Sequence, residues 1–293
     1  VAVANLSRSS LPSTQHRSLL YSRTLWLWVL LFPIVLVLVA PVWYMVAKAF
    51  TPEINQMKYP IVWSPDPFSL VNFQTILFDR NLPIMRWMAN SAIVTVVGMS
   101  LVLTVSTLSA YAFARLEFPG RETLFGILVV SMMIPTVLQI IPTFLLMRNL
   151  KLLDNYLALW LPGAAGAGTI FFLRQQFFAI PKELEDAAVV DGASRFRIFW
   201  QVALPLVQGA LVATGILTAL AFWNELFWAL IMLSSRDVIT LPVGLLAINQ
   251  GGYIQRGLAY AGGFMATVPP LVVYIIFQRQ IIAGLATSGL GGR

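Results

Sequence analysis

The stretch Ile180-Pro181-Lys182-Glu183-Leu184-Glu185-Asp186-Ala187-Ala188-Val189-Val190-Asp191-Gly192-Ala193-Ser194-Arg195-Phe196-Arg197-Ile198-Phe199-Trp200-Gln201-Val202-Ala203-Leu204-Pro205 interrupts a chain made largely of long apolar runs. Its local grammar predicts two short helices. Pro181 suits a first helical position, and Glu183, Glu185 and Asp186 sit near the positive helix N-terminus. Gly192 is placed as a left-handed C-terminal stop, and Ser194 can cap a second helix through Trp200, ending where Leu204-Pro205 turn into the next apolar run. The flat Ala187-Ala188 step admits another backbone or an aromatic ring, with carboxylates before it and Arg195 and Arg197 beyond the turn. That is a compact knob rather than a cleft. From the residues alone, a knob for a partner and an ordinary amphipathic helix pair on a membrane surface weigh equally.

Outward from this stretch, the chain alternates between apolar and polar on a scale of about 20 residues, the length that crosses a hydrocarbon core in helix. Six such runs occupy 25–49, 90–114, 123–147, 156–173, 206–233 and 260–277. With 58% hydrophobic and 11% charged residues among 293, too few polar side chains remain to coat a soluble domain. The expectation is an all-α membrane protein with six transmembrane helices. A cytoplasmic tail over 1–24 precedes a six-helix membrane domain over 25–282 (core 90–282, with the hairpin 180–205), and a tail follows over 283–293. The first run is too long for a secretory signal and lacks a small-residue cleavage site, so it should remain in the mature chain.

Six crossings put both termini on one side. The inside loops then carry 11 Lys and Arg residues against 8 outside, and Arg8, Arg17 and Arg23 before the first run weigh most toward cytoplasmic termini in an inner membrane. The net charge of +7 is scattered in ones and twos, which suits anionic lipid and excludes nucleic acid as a partner. Cysteine is absent and His16 is the only histidine, so thiol redox chemistry, zinc sites and His-based triads lack material. The segments 50–89 and 234–259 are expected as outside loops, with a surface helix over 68–78. They read either as a docking face or as inert connection.

Proline and glycine punctuate the spans at Pro33, Pro41, Pro135, Pro142, Pro162, Gly163, Gly166, Gly168, Pro269 and Pro270, as suits a bundle whose helices approach closely and move. In the fifth run Thr214, Thr218, Ala221, Glu225 and Trp228 fall on one helix face beside Asn224. An intramembrane carboxylate needs a wet cavity or a partner, so Glu225 is either a solute-pathway residue or a packing group. Gln139 and Thr136 in the third run and Thr267 and Tyr274 in the sixth are further polar candidates for a sugar-recognising surface. A membrane enzyme or a proton-coupled secondary carrier using Glu225 are the competing functions. The enzyme lacks a second convergent catalytic group, and the carrier predicts uptake without ATPase partners.

The order carboxylate, Ala, Ala, three residues, Gly, nine residues, aliphatic, one residue, Leu-Pro falls on Asp186, Ala187, Ala188, Gly192, Val202, Leu204 and Pro205. It resembles the EAA loop of permease subunits in binding-protein-dependent ABC importers, with Asp186 where glutamate is usual and Val202 where isoleucine is usual. The likeness extends through Asn90-Ser91, Ala110-Tyr111-Ala112-Phe113-Ala114-Arg115, Phe118-Pro119-Gly120, Trp223-Asn224-Glu225, Leu241-Pro242-Val243-Gly244 and Phe277-Gln278-Arg279. Together these are similar to six-span carbohydrate importer permeases of the maltose and glycerol-phosphate type. The resemblance implies a type I importer transmembrane domain, a homologous second permease subunit, a pair of ATPase subunits and an extracytoplasmic solute-binding protein. It also implies ATPase coupling through Glu185, Asp186, Ala187, Ala188, Gly192, Arg195 and Arg197. The solute would be a sugar, or glycerol 3-phosphate or another polyol. No G-x-x-x-x-G-K-[ST] loop occurs in the chain. ATP and Mg are therefore expected on the ATPase subunits, with no cofactor on this non-catalytic chain.

Overall fold

The computed structural model describes residues 14–79, 81–250 and 255–290, with side chains over 28–79, 81–248 and 255–280. The expected tails lie outside the described residues over 1–13 and 291–293. All regular structure among the described residues is helical. In chain order the helices are α1 (Thr14–Ala49), α2 (Val71–Phe78), α3 (Ile84–Arg115), α4 (Arg121–Ser131), α5 (Thr136–Asn149), α6 (Leu157–Trp160) and α7 (Ala167–Phe178). There follow α8 (Lys182–Val190), α9 (Arg195–Ile198), α10 (Leu204–Leu206), α11 (Gln208–Trp223), α12 (Phe227–Met232), α13 (Leu241–Gln250) and α14 (Arg256–Leu290).

The axis of the molecule is α3. Its 32 residues contain no proline, so its hydrogen-bond ladder is unbroken, and at about 1.5 Å per residue it exceeds the roughly 30 Å of a bilayer core. It packs against α7 and α11, while α14 packs against α1 and α11. Three helices are long enough and apolar enough to cross on their own: α1 from Trp28, α3, and α14 to Gln280. Three more crossings are bent pairs, so the total is six if each pair counts as one.

The bends correct three of the spans expected as continuous. The run 123–147 is divided between α4 and α5, which meet at 103°. Pro135 caps α5 and supplies no N–H to continue the preceding helix. The run 156–173 turns by 48° between Leu157–Gly163 and α7, where Pro162 sits in a 3-10 turn followed by small residues. The run 206–233 is α11 followed by α12, with Asn224, Glu225 and Leu226 between them, and Arg195–Leu206 meets α11 at 76°. The sixth helix runs on through Leu290, beyond its expected end at 277, so part of the expected C-terminal tail is helical.

The segments expected as two outside loops carry the helices α2 and α13 between irregular stretches, and their described residues interlock in what is here called the crown. Helix α2 begins later than expected and is more than a surface helix: Ile76 and Asn72 are buried, and Asn72 Nδ2 donates to Ala49 O (3.0 Å) and Thr51 O (2.7 Å). Helix α13 escaped the sequence reading because Pro242 and Gly244 look like breakers. Pro242 is its second residue, where a missing N–H does no harm. Gly244 lies so close to the Trp87 indole that a Cβ there would stand 2.1 Å from the ring. From α3, Asn90 Nδ2 donates to Asp237 O and Ile239 O (2.9 Å each), Trp87 Nε1 donates to Arg236 O (3.2 Å), and Ser91 Oγ accepts from Leu241 N (2.8 Å). Glu53 accepts from the backbone N–H groups of Arg256 and Gly257, tying the start of α14 to the segment after α1.

Two buried clusters stand at opposite ends of α3. One gathers Trp87, Val94, Trp223, Met232 and Leu241 beneath the crown. The other gathers Tyr111, Leu173, Phe177, Ile180 and Phe199 beneath the hairpin 180–205.

Candidate functional site

The hairpin forms as its residues dictate. Helix α8 starts after Pro181, which takes the extended cap position one residue earlier than expected. It ends in a Schellman closure: Gly192 adopts φ +78°, Gly192 N donates to Val189 O (3.0 Å), and Ala193 N donates to Ala188 O (2.9 Å). Ser194 Oγ accepts from Arg197 N (3.3 Å) and caps α9. The second helix is shorter than expected, because Phe199–Ala203 forms a π-helical turn before α10. That turn buries Ile198, Phe199 and Ala203, and the Phe199 ring lies 5.0 Å from the Tyr111 ring of α3.

The seven residues expected to couple to an ATPase divide by orientation. Asp186, Ala187, Gly192, Arg195 and Arg197 are exposed, and Ala188 is half-buried. Glu185 alone is buried, with Oε1 2.9 Å from Arg115 Nε, a close ionic contact outside hydrogen-bond alignment. Arg115 escaped the sequence reading as a site residue, since it is named there only as the end of the motif Ala110-Tyr111-Ala112-Phe113-Ala114-Arg115. Around the exposed polar groups stand bare apolar side chains: Val190 is 87% exposed, Phe196 69% and Trp200 52%.

Between the two buried clusters lies a cavity of about 1160 Å³, walled by α3, α5, α7, α11 and the breaks beside them. Gln139 and Glu225 line it, as do Thr136 and Thr143 on α5 and Thr214 and Thr218 on α11. Asn224 and Thr267 do not. Asn224 Nδ2 donates to Leu220 O of its own helix (2.9 Å), and Thr267 Oγ1 donates to Gly263 O (2.8 Å). The amide of Gln139 has no hydrogen-bond partner among the described residues and is exposed toward the cavity. Glu225 Oε1 accepts from Trp228 N (2.8 Å), capping α12, and Trp228 Nε1 reaches Ala158 O (2.9 Å). Glu225 is thus both a cavity group and a helix cap. Thr240, also lining the cavity, was missed by the sequence reading because it lies in a presumed loop, and its buried hydroxyl is unpaired. Among the described residues no three His, Asp or Glu side chains gather as a metal site.

Residues 103–285 match the family described as binding-protein-dependent transport system inner membrane component. Over 261 residues the chain is 34% identical to the arabinooligosaccharides transport system permease protein AraQ of Halalkalibacterium halodurans, covering 88% of this chain and 93% of that one. It is 33% identical over 226 residues to the lactose transport system permease protein LacG of Rhizobium radiobacter, covering 74% and 82%. The sn-glycerol-3-phosphate transport system permease protein UgpE of Yersinia pestis is 30% identical over 260 residues, covering 87% and 92%. A chain in the crystal structure of a bacterial ABC transporter involved in the import of the acidic polysaccharide alginate superposes with a TM-score of 0.78. It is 26% identical, covering 92% of this chain and 99% of that one.

Proposed function

Since the chain belongs to the family of binding-protein-dependent transport system inner membrane components, and is a transmembrane permease subunit of an ABC importer, we propose that it forms half of a pathway for a sugar or polyol. The carrying observation is the cavity of about 1160 Å³, large enough for an oligosaccharide portion, whose polar groups are threonine hydroxyls, the Gln139 amide and one carboxylate. Uncharged donors and acceptors beside Trp228 and Phe172 suit a hydroxyl-rich solute. The names of the relatives, which include an arabinooligosaccharide, a lactose and a glycerol-3-phosphate permease, support the same class.

In this reading the chain is non-catalytic. A homologous second permease closes the cavity, a solute-binding protein delivers to the crown from outside, and both termini are cytoplasmic. A pair of ATPase subunits holding ATP and Mg seats on the hairpin, whose exposed Val190, Phe196 and Trp200 call for a covering surface. Asp186, Ala187, Ala188, Gly192, Arg195 and Arg197 form the docking face, and Gln139 and Glu225 touch the solute. Use of Glu225 as a cap for α12 favours a fixed role over a proton-shuttling one.

The test is uptake by vesicles holding the whole assembly, with labelled arabinooligosaccharide, lactose and glycerol 3-phosphate as probes. At least one should accumulate with ATP, and none with this chain alone. Glu225→Gln keeps an acceptor for Trp228 N and should retain a substantial part of uptake, whereas an essential proton-transfer group would lose about 10² to 10⁴ in rate. ATP-independent uptake by the chain alone, abolished in Glu225→Gln, would overturn the proposal.

A further inference from the structure

Arg115 is the last residue of α3, and its guanidinium stands where three elements meet. Its Nε lies 2.9 Å from Glu185 of α8, and its Nη2 donates to Phe177 O (2.7 Å) at the end of α7 and to Ile180 O in the turn that follows. Both charged side chains are less than a tenth exposed. Burying two charges is costly, and apolar residues of similar volume often hold such a position as firmly or more so. What the ionic contact adds is register: among the described residues Arg115 is the ion-pair partner of the Glu185 carboxylate, and that cation is also held by Phe177 O of α7 and Ile180 O beyond it. The helices joined this way, α3 and α7, are walls of the cavity, and α11 packs on both. Next in sequence, Asp186 points outward and is free to meet another chain.

We infer that Arg115 and Glu185 form a positioning latch, which fixes the hairpin to the cavity wall so that displacement of one displaces the other. Glu185 accordingly serves coupling from the inside, through Arg115, and not by touching the ATPase subunit. This rests on the reading that the hairpin docks on an ATPase.

The chain has no cysteine, so single thiols can report on each step. Thr218→Cys places one in the cavity wall, and its modification by a methanethiosulfonate reagent is timed in the whole assembly, nucleotide-free and trapped with ATP and vanadate. Val190→Cys tests crosslinking to the ATPase subunit. If the Thr218→Cys rate ignores nucleotide, or Val190→Cys never crosslinks, the docking reading itself fails, whatever the latch does. With both signals present, adding Glu185→Gln should shrink the nucleotide-dependent rate ratio by about 2- to 30-fold while ATP hydrolysis and crosslinking persist, the range of effect of a residue within a coupling network. Glu185→Asp should recover part of the ratio. An unchanged ratio, or lost crosslinking in Glu185→Gln, would overturn the latch. Should Glu185→Gln fail to assemble, the pair Arg115→Met with Glu185→Leu removes both charges together and leaves neither bare. That double variant should assemble with the reduced ratio; a full ratio, or failure to assemble, overturns the latch as well.

Discussion

At the crown end of α3, Trp87, Asn90 and Ser91 bond to backbone groups about 150 residues further along the chain, and every one of those groups is neutral. At the hairpin end, one guanidinium binds one carboxylate and the carbonyls closing α7. The crown is held by many small attachments spread over α2, α3, α13 and the start of α14. The hairpin adds one buried ionic contact to the apolar packing of Ile180, Ile198 and Phe199, and both ends leave apolar side chains bare, Tyr59 and Phe78 at the crown and Phe196 and Trp200 at the hairpin. The contrast is between polar attachment spread over several elements and polar attachment concentrated in one buried ion pair. It also predicts where single substitutions matter: distributed neutral bonds share a loss, and a concentrated ionic anchor does not.

The largest effect is therefore expected at Arg115. Arg115→Ala strands the buried Glu185 carboxylate, a change that typically costs about 3–5 kcal/mol, and should lower the thermal midpoint of the purified assembly in detergent more than any single crown substitution. Asn90→Ala is the crown counterpart. It leaves Ile239 O without its Asn90 donor and Asp237 O with Arg86 Nε (3.1 Å), for a loss of about 1–3 kcal/mol in the same measurement. If Asn90→Ala proves the more damaging, the distinction between distributed and concentrated anchoring is wrong. The smallest effect belongs to Asp237→Ala. Its ion pair with Arg86 is 2.6 Å long, but both side chains are more than half exposed, so the midpoint should move by no more than about 0–1 kcal/mol of stability.

Legibility in the sequence followed the distance over which the physics acts. Gly192 and Ser194 could be read because a left-handed stop and an N-cap are settled within four residues of themselves. The six apolar runs could be read because crossing a bilayer demands length and little else. What escaped was decided between segments. Proline at 135 announces a break but not the 103° between α4 and α5, which depends on what each half packs against. Gly244 looks like a helix breaker until Trp87, 157 positions earlier, is laid against it. Glu185 and Asp186 are adjacent carboxylates with nothing local to distinguish them, and only Arg115 decides which one turns inward. In the cavity the same limit applied: Gln139 and Glu225 are together on its wall, while Asn224 and Thr267, of the same residue classes, spend their hydrogen bonds on their own helices.

The breaks at Pro135 and around Gly166 have a consequence for the character of the cavity surface. Helices α5 and α7 both begin in its wall, and Thr136, Val137, Gly168 and Thr169 of their first turns line it. A first turn carries peptide N–H groups that no helical carbonyl accepts from. Helix starts set in the wall therefore bring main-chain donors to the edge of a cavity whose lining side chains are mostly hydrocarbon, whichever residues occupy those positions. Hydropathy counted from side chains understates how wet such a wall is, and related chains can keep the donors while their lining residues drift.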